Sequence, residues 1–258
     1  MATQPNYRAI AYEAAMKGRQ IAAVEAASKM LSNAALSGVQ PAPGTDWALG
    51  CLYEVMIRFG DWNGILQKKL PHPSVPGVQV AHFQARAIAL ASTNRIAEAK
   101  EALAALEKII AETPADARQG ANSARALYEI AALKAKARIA YMEKLNVDFE
   151  TGLTEQIAFL QEALVKEDAL TPSNPPDSFI PVRHFLGSAL INNGRDSVQA
   201  EAVYREDLRR NPKNPWSLRG LCVALEWQGK FHELPRAQHE FNQAWSSGAD
   251  TSILNSVN

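Results

Sequence analysis

The sequence predicts an all-α protein, a superhelix of stacked helical hairpins. Apolar residues recur at steps of three and four, as Ile96, Ala99, Leu103, Leu106 and Ile110 do in "IAEAKEALAALEKIIAE", the spacing that gathers them on one helical face. No stretch alternates apolar and polar residues between hairpin turns, so strand signals are missing. The breaks between helices also share one punctuation, a Gly or Asn beside a charged residue, at Gly18, Gly60, Asn94, Gly194 and Gly229. At a helix C-terminus such residues take the left-handed conformation at low steric cost.

Taken in order, the elements form one continuous unit over residues 1–258, with hairpins at roughly 5–36, 45–70, 80–112, 122–168, 179–211 and 213–245. The first opens on "NYRAIAYEAAMKGR" and pivots at Gly18; the second is short because Pro71 and Pro73 stop it. In the third, Phe83, Arg86, Ala87 and Leu90 precede the pivot at Asn94. The fourth is long, with "ARALYEIAALKAKARIAYMEK", an irregular "LNVDFETG", then "LTEQIAFLQEALVKED". Prolines hold the next connection, "TPSNPPDSFIP", extended. It is expected to cross the hairpins as a strap, the rival being a disordered linker. The fifth and sixth hairpins align with the third: Arg183, Leu186, Gly187 and Leu190 precede Gly194, and Leu218, Leu221, Cys222 and Leu225 precede Gly229. After the pivot comes a small residue, Ala23 or Ala99, and in the fifth hairpin Ala200 after one inserted residue. In "AEAVYREDLRRNP" the interval of four joins Ala200, a close crossing, to Tyr204, an aromatic knob, then Leu208 and the helix-stopping Pro212.

These residues resemble the tetratricopeptide repeat, a helix–turn–helix unit of about 34 residues, most closely in the last two hairpins. The strings "NYRAIAYEAAMKGR", "VMIRFGDWNGIL", "PPDSFIPVRHFLGSAL", "AEAVYREDLRRNPKNPWSLRGLCVAL" and "ADTSIL" further resemble, over most of the chain, the C-terminal half of a poorly characterised bacterial family of larger tetratricopeptide-repeat proteins. In that family the preceding half carries His-rich segments. They are missing here, so the resemblance brings no metal with it, and it implies a fragment or a shortened relative. Stacked repeats of this kind make a right-handed superhelix whose first helices line a concave groove.

Composition narrows the function. The 258 residues, 47% in the hydrophobic class and 21% charged, supply ample core. With 27 acidic and 27 basic residues, no global field favours nucleic acid or an anionic membrane. The start lacks a signal peptide's basic and apolar regions, and no apolar run nears the roughly 18 residues of a membrane span. Cys51 and Cys222, each inside an apolar helical pattern, fit buried thiols in a reducing compartment. A cytoplasmic location is expected. G-x-S-x-G, Walker, H-E-x-x-H, C-x-x-C and Rossmann signatures are missing. The five histidines, His72, His82, His184, His232 and His239, never fall at i, i+4. Neither catalysis nor a metal or other cofactor is therefore expected.

Projecting repeat geometry onto the sequence makes Tyr12, Glu54, Gln84, His184, Asn192, Arg219, Glu226 and Trp227 the candidate groove residues. Arg183 and His184 are placed to meet a carboxylate; the preferred reading is structural, with the Arg183 stem buried and its head paired. Arg209, Arg210 and Lys213 form a basic turn, offset by Glu206 and Asp207, that reads as solvated surface. Trp227, beside Glu226, is either an anchor for a ligand or packs near Trp245. The leading expectation is a non-enzymatic scaffold that binds a protein or peptide in the groove. Its alternatives are a structural subunit that self-associates into a homo-oligomer through an uncapped first hairpin, and one half of an enzyme whose catalytic part lies elsewhere.

Overall fold

The structure is a computed structural model and describes residues 6–37, 46–192 and 196–245. Those residues form six helical pairs: α1 (Tyr7–Met16) with α2 (Gln20–Ser37), α3 (Cys51–Arg58) with α4 (Trp62–Gln67), α5 (Pro76–Ser92) with α6 (Ile96–Glu112), α7 (Ala124–Lys144) with α8 (Phe149–Asp168), α9 (Val182–Ile191) with α10 (Ser197–Arg210), and α11 (Pro215–Trp227) with α12 (Leu234–Ala244). A short 3-10 turn, Asp46–Gly50, precedes α3.

One local device makes the turns. Gly18, Gly60, Asn94 and Gly229 all have φ between +61° and +68°. In each case the next residue's N–H reaches back five positions: Arg19 to the Ala14 carbonyl (2.9 Å), Asp61 to Met56 (3.0 Å), Arg95 to Leu90 (2.8 Å) and Lys230 to Leu225 (2.9 Å). This left-handed C-terminal cap satisfies carbonyls the helix would leave open. The fifth predicted pivot, Gly194, lies outside the described residues. At the other ends, Asn6, Asp61, Asp148, Asp196 and Asn214 accept hydrogen bonds from first-turn backbone N–H groups. Pro76 and Pro215 occupy first-turn positions where no N–H is needed.

Three expectations are corrected. The third hairpin starts at Pro76 rather than 80, because a first-turn proline begins a helix instead of ending one. "FETG" is helical, not irregular: the Asp148 carboxylate caps Thr151 (3.2 Å), and Gly152 lets α8 approach α7 where a Cβ would meet Lys144 and the Ala140 carbonyl. And a small antiparallel pair exists, β1 (Arg118–Gln119) with β2 (Asn122–Ser123), turning on Gly120 at φ +60°. Two residues per strand are too few to show alternation.

Packing follows the repeat pattern. Ala23, Ala87, Ala99 and Ala200 are fully buried. The Tyr204 ring lies between α9 and α11, on Gly187 and Gly220, at each of which a Cβ would overlap it. The proline-rich connection is a strap. Arg8 donates to the Pro175 and Pro176 carbonyls (3.0 and 2.5 Å), and Asn122 exchanges hydrogen bonds with Thr171 (3.0 and 2.7 Å). Lys134 donates to Ser178 and the Ile180 carbonyl, while Phe179 and Ile180 are buried.

Helices far apart in sequence also meet. The Trp216 indole of α11 donates to the Ala15 carbonyl of α1 (3.0 Å) and lies against Phe59 and Trp245. The Arg58 guanidinium of α3 stands 4.6 Å above the Trp216 ring. One core cluster therefore joins the first three hairpins to Phe179, Ile180 and Trp216.

Candidate functional site

The eight candidate groove residues do not line one surface. Glu54 and Gln84 face a cavity of about 60 Å³ together with Arg8, Lys134 and Asp177. Gln84, 2% exposed, is a wall residue there. His184 and Asn192 line a second cavity, of about 70 Å³. Tyr12 lies edge-on to Phe179, 5.3 Å between ring centres, and burial pushes its hydroxyl up to about 12. Arg219 is half-buried on α11, and Glu226 and Trp227 lie exposed at that helix's end. The strap and Trp216 pack against α1 and α3, and Gln84 and His184 are buried.

His184 belongs to a buried polar chain. Arg58 donates to His184 Nδ1 (2.5 Å), and His184 Nε2 faces Asp207 (3.1 Å), which also accepts from Ser217 (2.5 Å) and Asn211 (3.0 Å). An arginine can only donate, so Nδ1 accepts and the imidazole proton sits on Nε2, toward Asp207. Burial pushes the His184 pKa down, with Asp207 opposing and Arg58 adding to the fall. The trio resembles a hydrolase triad in composition only. Ser217 bonds to the carboxylate and not to the imidazole, so His184 is not placed as its base, and it is fully buried.

The structural reading of Arg183 holds. It is 6% exposed, and its head makes two parallel bonds to Asp168 (2.7 and 2.6 Å). In the basic turn Glu206 accepts from both Arg209 and Arg210, as expected, but Asp207 is buried among His184, Ser217 and Asn211, and Asp168 takes the second bond of Arg210 instead. Cys51 and Cys222 are buried free thiols, and burial pushes Cys51 up to about 12. Trp245 packs on Trp216 and Phe241, whereas Trp227 is 59% exposed and Phe231, across the α11–α12 turn, 65%. Val198 is 66% exposed on α10, and Gln228, next to Trp227, bonds to the carbonyl of Ser197, next to Val198.

The second cavity holds what the sequence reading missed. Lys134, Arg138 and Tyr141 of α7 face it at steps of four and three, joined by Arg58 from α3 and Gln156 from α8. The signal was present: Lys134 and Arg138 lie four apart on one line of an alanine-rich helix. Among the described residues no group of His, Cys, Asp and Glu could hold a metal ion, and no helix is long and apolar enough to cross a membrane.

Compared with known protein families, with curated proteins and with solved structures, the chain has no significant match.

Proposed function

We propose that the chain is a non-enzymatic binding scaffold of tetratricopeptide type, a superhelix of six hairpins that holds a protein or peptide partner. The observation that carries the reading is the exposed pair Trp227 and Phe231 at the last turn. Large aromatics left in water at a helix end are the side chains most often found as binding anchors. Exposed Glu226 and Val198, with half-buried Arg219, supply the polar and apolar surroundings such an anchor uses. The repeated left-handed caps and the Tyr204 knob favour the tetratricopeptide assignment. The order of Ser217, Asp207 and His184 favours a non-enzymatic role.

The test is capture from the native host with the tagged chain, followed by titration of the captured partner. Replacing Trp227 and Phe231 by alanine is expected to weaken binding by on the order of 2 kcal/mol per anchor with helical content unchanged. Equal affinity in wild type and double variant rejects the reading.

A further inference from the structure

The cavity of about 70 Å³ among α3, α5, α7, α8 and α9 combines three features. The first is cationic charge without an assigned counterion. The Arg138 guanidinium has no hydrogen-bond or ion-pair partner among the described residues, and burial pushes its pKa down. Arg58, 3% exposed, spends Nη2 on His184 and leaves Nε unpartnered. Lys134, also lining the cavity, holds the strap. Two nearby carboxylates are engaged elsewhere, Glu167 with the Val182 N–H and Asp207 with His184, Ser217 and Asn211; Glu54, one turn before Arg58 on α3, faces the other cavity and makes no hydrogen bond to Arg58. A cation partly withdrawn from water and left without an ion partner, as half-buried Arg138 is, gains from an anion supplied from outside.

The second feature is a set of neutral polar groups beside the cations. Tyr141 accepts from Asn192 (2.9 Å), which leaves its hydroxyl proton to donate. Gln156 Oε1 is buried without a partner. The third is an apolar wall, with Ile57, Ile88, Leu160, Ile180 and Phe185 around the space. Half-buried Trp62, Ser188 and Asn192 form the less enclosed side. At about 10–15 Å³ per water-sized probe, the volume admits several non-hydrogen atoms and no large ligand. A hydrated inorganic ion would leave the apolar wall unused, and a hydrocarbon would leave the guanidiniums bare.

We propose that this cavity is a binding site for a small organic carboxylate with a short branched or cyclic apolar body, its carboxylate on Arg138 and Arg58 and its body against Leu160 and Phe185. The site is separate from the exposed Trp227 edge and does not depend on the scaffold reading. In solution the full chain is titrated with 2-methylpropanoate, with 2-methylpropanamide and inorganic phosphate as controls, by calorimetry and by thermal shift.

The carboxylate is expected to bind saturably and raise the melting temperature, while amide and phosphate bind at least tenfold more weakly. Arg138→Gln is expected to weaken the carboxylate roughly ten- to a hundredfold, the range for a lost charged hydrogen bond. Without ligand it should melt close to the wild-type temperature, since half-buried Arg138 makes no hydrogen bond or ion pair with the described residues that the change would remove. Tyr141→Phe, a gentler change, should weaken binding several-fold and covers the case in which Arg138→Gln does not fold. No carboxylate binding, equal binding of the amide, or equal binding of phosphate overturns the proposal. So does a folded Arg138→Gln or Tyr141→Phe protein with wild-type affinity.

Discussion

Tyr204 offers the sharpest probe of how the hairpins interlock. Its ring is trapped from both sides, by Gly187 of α9 and Gly220 of α11, and a Cβ at either glycine would overlap ring carbons. Gly220→Ala therefore has two opposed effects. Alanine is better than glycine in a helix interior by about 0.8–1.0 kcal/mol, whereas forcing a methyl into a filled core costs about 1–3 kcal/mol. The ring cannot rotate away, because Gly187 closes the other side, so the steric effect wins and the variant is less stable than wild type. In a Tyr204→Ala background, itself destabilised by roughly 3–5 kcal/mol as for other aromatic truncations, the overlap vanishes and only the helical preference remains. Gly220→Ala should there become stabilising by about 1 kcal/mol. The four proteins of this double-mutant cycle would be compared by urea denaturation followed by circular dichroism, with thermal shifts of roughly 2–4 °C per kcal/mol as a cross-check. A reversal of sign between the two backgrounds is the expected result. If Gly220→Ala stabilises the parent protein as well, or if the effects simply add, the knob between two glycines is refuted.

Two titratable sites give further tests. His82, 5% exposed and hydrogen-bonded through Nδ1 to the Tyr53 hydroxyl (2.8 Å), has its pKa pushed down to about 4 by burial, with Arg86 adding to the fall. Below the unfolded value of about 6.5 the unfolded chain binds a proton that the folded chain refuses. Its contribution to stability is thus complete above that pH and is lost as pH falls toward 4; His82→Gln should flatten this part of the pH–stability curve, and an identical slope in both proteins would rule it out. For the thiols, Cys51 is 3% and Cys222 1% exposed, and burial raises both. Neither should react with a disulfide reagent at pH 8 in the native protein, and both should react in denaturant; rapid native labelling of either would contradict the packing.

Local architecture could be read from the residues in order along the chain. Gly18, Gly60, Asn94 and Gly229 were legible as hairpin pivots because a left-handed cap depends on one residue and its immediate neighbours. Buried Ala23, Ala99 and Ala200, and Tyr204 as a knob, followed from a spacing that a helix imposes on any chain. The strap followed from proline chemistry. Two residues of β1 and β2, and a capped "FETG", lay below what periodicity can resolve.

The surroundings of Gln84, His184 and Arg138 came instead from packing between distant helices. The bond from Trp216 to Ala15 spans 201 residues, and that from Arg58 to His184 spans 126. Contacts of that range depend on the summed tilt of every hairpin between them, which no window of sequence encodes. The same closure buried Gln84 and His184, which repeat geometry had assigned to an accessible groove, and turned Lys134 and Arg138 toward an apolar cavity. Charge on a helix is visible in a string of letters. Whether that charge meets water, a carboxylate or an enclosed space is settled by the helices that arrive from elsewhere in the chain.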